Sequence, residues 1–137
     1  KDINDNYGHH CGDWALKETI RVCQAIGKSN DVFARLGGEE FCLLLPSGTI
    51  DDAYKRAEAC RVAIEGIVTT GSGSDFSITA SFGVTDIKRS GFRLTNLLKD
   101  ADIAMYQAKE SGRNQVTLFK PKIIKNKVLD SSWSISS

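Results

Sequence analysis

Apolar residues return at helical spacing in three stretches of the chain and follow strand-like patterns between them. Trp14, Leu16, Ile20, Val22, Cys23 and Ile26 suit a helix that buries one face and stops at Gly27. Asp51 and Asp52 place negative charge on the first turn of a second helix, which runs to about Glu65 and buries Ala53, Ala57, Cys60, Val62 and Ile64. A third helix, capped near Thr95 and Asn96, passes through Leu97, Leu98, Ala101, Ile103, Ala104, Met105 and Ala108 and ends at Gly112. Val32 to Ala34 and Phe41 to Leu45 read as two strands around a glycine pair, Phe76 to Val84 as a third and Gln115 to Phe119 as a last. Pro46-Ser47-Gly48-Thr49 and Gly71 to Asp75 break the pattern, and Lys1 to His10 reads as a polar loop.

The order helix, hairpin, helix, strand, helix, strand is most of a split β-α-β-β-α-β plan without its first strand. The expected class is α+β: a ferredoxin-like fold whose central antiparallel sheet is flanked by helices. A sheet of that plan with no first strand has an open central slot with unpaired backbone groups, so something must fill it. Residues 1–119 carry the pattern and read as one domain, and residues 120–137 as an extension of it.

Composition narrows the choice of partner. The formal charge is +1 over 137 residues, which gives no bulk attraction for nucleic acid or an anionic membrane, so an anionic ligand must be gripped locally. Cys11, Cys23, Cys42 and Cys60 form no CxxC pair and no metal-ligand rhythm, and buried free thiols in a reducing compartment are expected. No run is apolar for long enough to span a bilayer, and no signal peptide opens the chain, which points to a soluble domain.

Arg35-Leu36-Gly37-Gly38-Glu39-Glu40-Phe41 is the stretch richest in chemistry. Glycines admit positive φ and let a ligand approach the backbone, and the acids beside them offer hard oxygens suited to Mg²⁺. Taken alone, the same run is also an ordinary hairpin turn with solvated carboxylates.

Four blocks, in order, settle the choice: Lys1-Asp2-Ile3-Asn4-Asp5-Asn6-Tyr7-Gly8-His9 with Gly12-Asp13; Arg35 to Phe41; Thr79-Ala80-Ser81-Phe82-Gly83-Val84; and Ala101-Asp102-Ile103-Ala104-Met105-Tyr106-Gln107-Ala108-Lys109-Glu110-Ser111-Gly112-Arg113-Asn114. Together they resemble the GGDEF domain of diguanylate cyclases, a nucleotidyl cyclase-like palm, over Lys1 to about Phe119. The resemblance implies that Asn4 and Asp13 read guanine, an amide meeting the base edge and a carboxylate accepting from its amino group. A loop Asn and a helix N-cap Asp would be the ordinary account of the same two residues. It further implies that Glu39 holds Mg²⁺ or Mn²⁺, that Glu40 assists near the attacking 3′-hydroxyl or pairs with a lysine, and that Gly37 and Gly38 pass under the nucleotide. Lys109 and Arg113, four apart at the end of the third helix, match the phosphate-clamping pair, although cations there also compensate a helix dipole.

Two departures temper what the resemblance implies. The family's aspartate-bearing first strand lies ahead of the segment that begins here at Lys1, so this stretch alone is expected to bind Mg²⁺ poorly and to be a weak or inactive catalyst. Where many relatives carry an Arg-x-x-Asp inhibitory site for cyclic di-GMP, this chain has Lys28 to Asp31: Asp31 is kept, but Lys28 lacks the planar fork of arginine, and a polar turn explains the segment as well.

The implied function is condensation of two GTP into cyclic di-GMP and pyrophosphate by an antiparallel homodimer. An upstream sensory or dimerising domain would drive it, in the cytoplasm, on a parent protein that could carry its own membrane anchor. The alternative is a non-catalytic module that binds GTP or cyclic di-GMP and reports occupancy. RNA binding on the sheet is disfavoured, since the hairpin strands lack an exposed aromatic pair and a basic face.

Overall fold

The computed structural model describes the backbone of residues 2–46, 48–69, 76–121 and three short strands beyond, and side chains over 11–46, 48–69 and 76–121. Helix α1 (Asp2–Ile26) opens the chain, followed by the hairpin of β1 (Val32–Gly37) and β2 (Glu40–Leu44), and then α2 (Ile50–Glu65). Strand β3 (Ser81–Val84), the one-turn α3 (Ile87–Ser90), α4 (Leu94–Glu110) and β4 (Val116–Leu118) come next. Beyond them, β5 (Ile123–Ile124) pairs with β6 (Lys127–Val128), and β7 (Ser134–Ser136) returns to the main sheet.

The main sheet has the order β1-β2-β7-β3-β4. Strand β7 runs antiparallel to both neighbours, Ser136 lying opposite Glu40 on one side and Ser81 on the other. The central position is therefore filled from the far end of the chain, where the sequence pattern gave no strand. β3 and β4 are parallel and joined through α4, the usual crossover arrangement.

Alternation along β3 divides the packing between two faces. Phe82 and Val84 join the core cluster with Ala15 and Cys23 of α1, Leu43 of β2, and Ala53, Ala57, Cys60 and Ile64 of α2. Gly83 points the other way, where a Cβ would stand 2.0 Å from the Ala101 carbonyl oxygen and 2.4 Å from the Met105 nitrogen. Only glycine lets α4 lie this close, and Ala101, Ala104 and Ala108, all fully buried, keep its facing side thin. All four cysteines are free and buried. Burial pushes the Cys42 thiol up to about 11, so it stays protonated at neutral pH.

Several expected boundaries move. Lys1 to His10 was expected as a loop, yet α1 starts at Asp2; an end-to-end run of helix satisfies backbone groups that a loop would leave to solvent. Val62 was expected in the core and is 53% exposed, one position past the buried stripe of α2. The strand expected over 76–84 is regular only from Ser81, although Ile78 and Ala80 are buried ahead of it. Helix α4 begins after Arg93 without a side-chain cap rather than at Thr95 or Asn96. At α2 the cap is complete: the Thr49 hydroxyl accepts from the Asp52 N–H at 3.2 Å, and the Thr49 N–H donates to Asp52 Oδ2 at 2.9 Å.

Candidate functional site

The acidic hairpin owes its shape to three neighbouring residues. Strand β1 bulges between Arg35 and Gly37, and the chain then turns through Gly37 at φ 147° and Gly38 at φ 51°. A Cβ at Gly38 would meet nothing within 4 Å, so backbone conformation and not crowding requires glycine there. Arg35 reaches back over the turn, its Nε and Nη2 donating to the Gly38 carbonyl at 3.0 and 2.8 Å. The two flexible glycines are thereby held in one arrangement, with Glu39 half-buried in the turn and Glu40 exposed at the first position of β2.

Strand register sets this tip at the same end of the sheet as the end of α4. Glu40, Ser136 and Ser81 lie in one row across β2, β7 and β3, and the next residue of β3, Phe82, donates its N–H to the Gln115 carbonyl at 3.0 Å. Two strand spacings, about 10 Å in all, separate β2 from β3. Because α4 runs back against β3, with Ala101 and Met105 at Gly83, its C-terminal turn faces the same end of the sheet. The topology thus sets the hairpin tip and the C-terminal turn of α4 at the same end of the sheet.

Lys109 is half-buried in the last turn of α4, as expected. Arg113 lies beyond the helix, because α4 stops at Glu110 rather than at Gly112. The Arg113 N–H instead donates to the Ala108 carbonyl at 2.9 Å, a wrapped helix end that swings its exposed side chain out of the helical register. Asp13 is exposed in the middle of α1, so the N-cap account of it fails. The side chain of Asn4 lies outside the described residues.

Lys28 and Asp31 sit at the opposite, base end of the hairpin. Asp31 Oδ2 accepts from the Lys28 N–H at 2.7 Å and pairs with Arg56, whose side chain is 11% exposed against 9% for Asp31. Burial raises the acid's affinity for its proton, but the Lys28 N–H and the Arg56 guanidinium outweigh that and hold the Asp31 carboxyl below the usual carboxylate range. A cleft of about 490 Å³ lies here, lined by Lys28, Asn30, Asp31, Lys55 and Arg56. The Asp31 carboxylate thus serves both its own turn and α2.

Among the described residues, no three carboxylates, imidazoles or thiols converge as a metal centre. Glu39 and Glu40 fit a Mg²⁺ that arrives with a polyphosphate and keeps most of its waters, the usual mode for an ion held by one or two carboxylates. Arg35 and Asn114 lie within the shared sequence blocks, and the resemblance implies no role for either. What each does, bonding a carbonyl across a turn and bridging to another helix, has no periodic signal.

Comparison with known proteins bears on the whole arrangement. A family model described as "Diguanylate cyclase, GGDEF domain" matches residues 1–115. Diguanylate cyclase A of Treponema denticola is 34% identical over 125 residues, covering 91% of this chain and 34% of that protein. The response regulator PleD of Caulobacter vibrioides is 39% identical over 119 residues, covering 85% of this chain and 26% of that protein. The chain thus spans about a third of the first of these proteins and about a quarter of the second. Among solved structures, the GGDEF domain of YfiN (TpbB) from Pseudomonas aeruginosa aligns at a TM-score of 0.80 with 32% identity, covering 88% of this chain and 76% of that one. The GGDEF domain of DgcB from Caulobacter crescentus, in complex with c-di-GMP, aligns at 0.74 with 29% identity, covering 85% and 70%.

Proposed function

The chain belongs to the GGDEF domain family of diguanylate cyclases, and on that premise we propose that it binds GTP at the edge shared by the acidic hairpin and the end of α4, and serves cyclic di-GMP synthesis. The single observation that supports this reading is the register row Glu40, Ser136, Ser81, which sets the start of β2 level with the start of β3, the end of the sheet toward which α4 runs. Lengths agree for the guanine end. From Ile26 back to Asp13 the helix rises about 20 Å and β1 spans about 17 Å from Val32 to Gly37, and with Ala15 and Cys23 of α1 packed in the core beside Leu43 of β2 this supports Asp13 lying near the level of the hairpin tip.

Asp13, with Asn4, accepts from the base and selects guanine. Gly37 and Gly38 leave room for the nucleotide to cross the hairpin, and Lys109 and Arg113 neutralise the outer phosphates. Glu39 and Glu40 hold Mg²⁺ or Mn²⁺, which when bound withdraws charge from the triphosphate and favours in-line attack at the α-phosphorus. Each 3′-hydroxyl forms one phosphodiester bond as one pyrophosphate leaves, so two nucleotides yield one cyclic product and two pyrophosphates. One domain holds one nucleotide, and turnover therefore takes two copies facing antiparallel, brought together by a sensory or dimerising segment of the parent protein. No helix among the described residues is long and apolar enough to cross a membrane.

A second reading is binding of GTP or cyclic di-GMP without turnover; the observation favouring it is that the hairpin brings two carboxylates and no third group among the described residues. Incubation of the purified chain, and of a form extended upstream, with GTP and Mg²⁺ separates the two. Cyclic di-GMP from either form supports the cyclase. Tight binding with no product from both supports the receptor, and the absence of binding and product overturns both.

A further inference from the structure

The turn that follows α4 is held against its own conformational preference. Gly112, Arg113 and Asn114 have φ of 117°, 64° and 48°, and for the two non-glycine residues this left-handed region is unfavourable. Such a turn persists only where the surroundings over-determine it. Here they do so from two sides. The Asn114 amide oxygen accepts from Arg61 Nη1 at 3.1 Å while its nitrogen donates to Glu65 Oε2 at 2.6 Å, tying the turn to α2 across about 50 residues of sequence. Arg61 is itself fixed, its Nε and Nη2 meeting the two Glu58 oxygens at 2.5 and 3.2 Å, with Glu65 3.6 Å away. From the other side, Gln115 Nε2 donates to the Ser111 and Arg113 carbonyls at 3.0 and 3.1 Å, and the Gln115 carbonyl is bonded to β3. What this frame holds still, and leaves exposed, is Arg113.

We propose that Arg61, Glu65 and Asn114 are positioning residues that lock the turn after α4 so that Arg113 meets the outer phosphates of a bound guanine nucleotide. The inference rests on the GTP-binding reading above. None of the three touches the nucleotide; they act through Arg113 by removing the freedom its backbone would otherwise have. Asparagine suits the position twice over, since it tolerates the left-handed region and offers an acceptor and a donor at once.

The test compares GTP with GMP, because a locked Arg113 favours only the nucleotide with outer phosphates. The full chain is titrated calorimetrically with each, in Mg²⁺. Asn114→Asp keeps the acceptor toward Arg61 and sets a carboxylate against Glu65, and GTP affinity should fall about tenfold while GMP affinity holds within about twofold. Asn114→Gly keeps the turn without strain and loses both bonds, and the same selective loss is expected should the Asp variant fold poorly. Pairing Asn114→Asp with Glu65→Gln restores a donor for the new carboxylate and should recover GTP affinity. In an Arg113→Ala background, Asn114→Asp should add nothing further, since both act on one contact. Equal losses for GTP and GMP, or additive losses with Arg113→Ala, overturn the inference. A parent chain that binds both nucleotides equally overturns it while leaving guanine recognition standing, and one that binds neither sinks the GTP reading itself.

Discussion

Two glycine positions show how differently one residue type serves the fold and the site. At Gly83 the space for a side chain is gone, with the α4 backbone 2.0 Å from where a Cβ would lie. At Gly38 the space is open and the backbone angle alone, φ 51°, calls for glycine. The first is a packing constraint in the interior. The second is a conformational one at the surface, where empty volume is what a ligand needs.

Substitutions sharpen that contrast, and the largest effect belongs to the interior. Gly83→Ala drives a methyl into helix backbone that has no flexible end to yield, at about 3 kcal/mol or more; thermal melting should show loss of the cooperative transition or a large drop in Tm. A variant melting with the parent would mean that α4 can back away and that the contrast is false. Next comes Asp31→Ala at the base of the hairpin, which leaves Arg56 poorly compensated and should cost on the order of 3 kcal/mol at neutral pH. Because the Asp31 carboxyl is held below its unfolded value of about 3.9, its contribution is complete above that pH and fades as the pH falls toward the folded-state value. The gap between parent and variant in urea midpoints should therefore be constant from pH 7 to 5 and narrow below about pH 4.

At the tip the balance reverses, with binding hit harder than folding. Gly38→Ala should cost about 1–2 kcal/mol of stability, the penalty of a left-handed L residue, yet weaken GTP binding about a hundredfold or more as the methyl enters the nucleotide's path. Binding equal to the parent's would show that the nucleotide does not cross this turn. The smallest effect is expected for Arg35→Ala, about 1 kcal/mol or less for an exposed charge-assisted bond, readable as faster amide exchange at Gly37 to Glu40.

What the sequence made legible follows from the same division. Helical spacing gave α2 and α4 nearly whole, and the turn chemistry of Gly37-Gly38 gave the hairpin, because each rests on neighbours in the chain. The seam at Gly83 was visible only as a glycine within an alternating run, with no sign that Ala101 lay against it. The strand at Ser134–Ser136 escaped notice because its partners are far off in sequence and its own composition is polar. In the site, the acids and cations were readable from the blocks they share with a known family. The bonds of Arg35 to Gly38 and of Asn114 to α2 were not, since they depend on where a turn places a carbonyl or an amide.

The central position of β7 also bears on how this stretch folds. Pairing Glu40 with Ser136 closes a loop of 96 residues (136 − 40), and the pairing of β7 with β3 likewise waits for the same segment. When this stretch refolds, the facing edges of β2 and β3 stay unsatisfied until Ser134–Ser136 docks between them. High contact order of this kind slows folding and lengthens the interval in which bare strand edges can meet those of other chains.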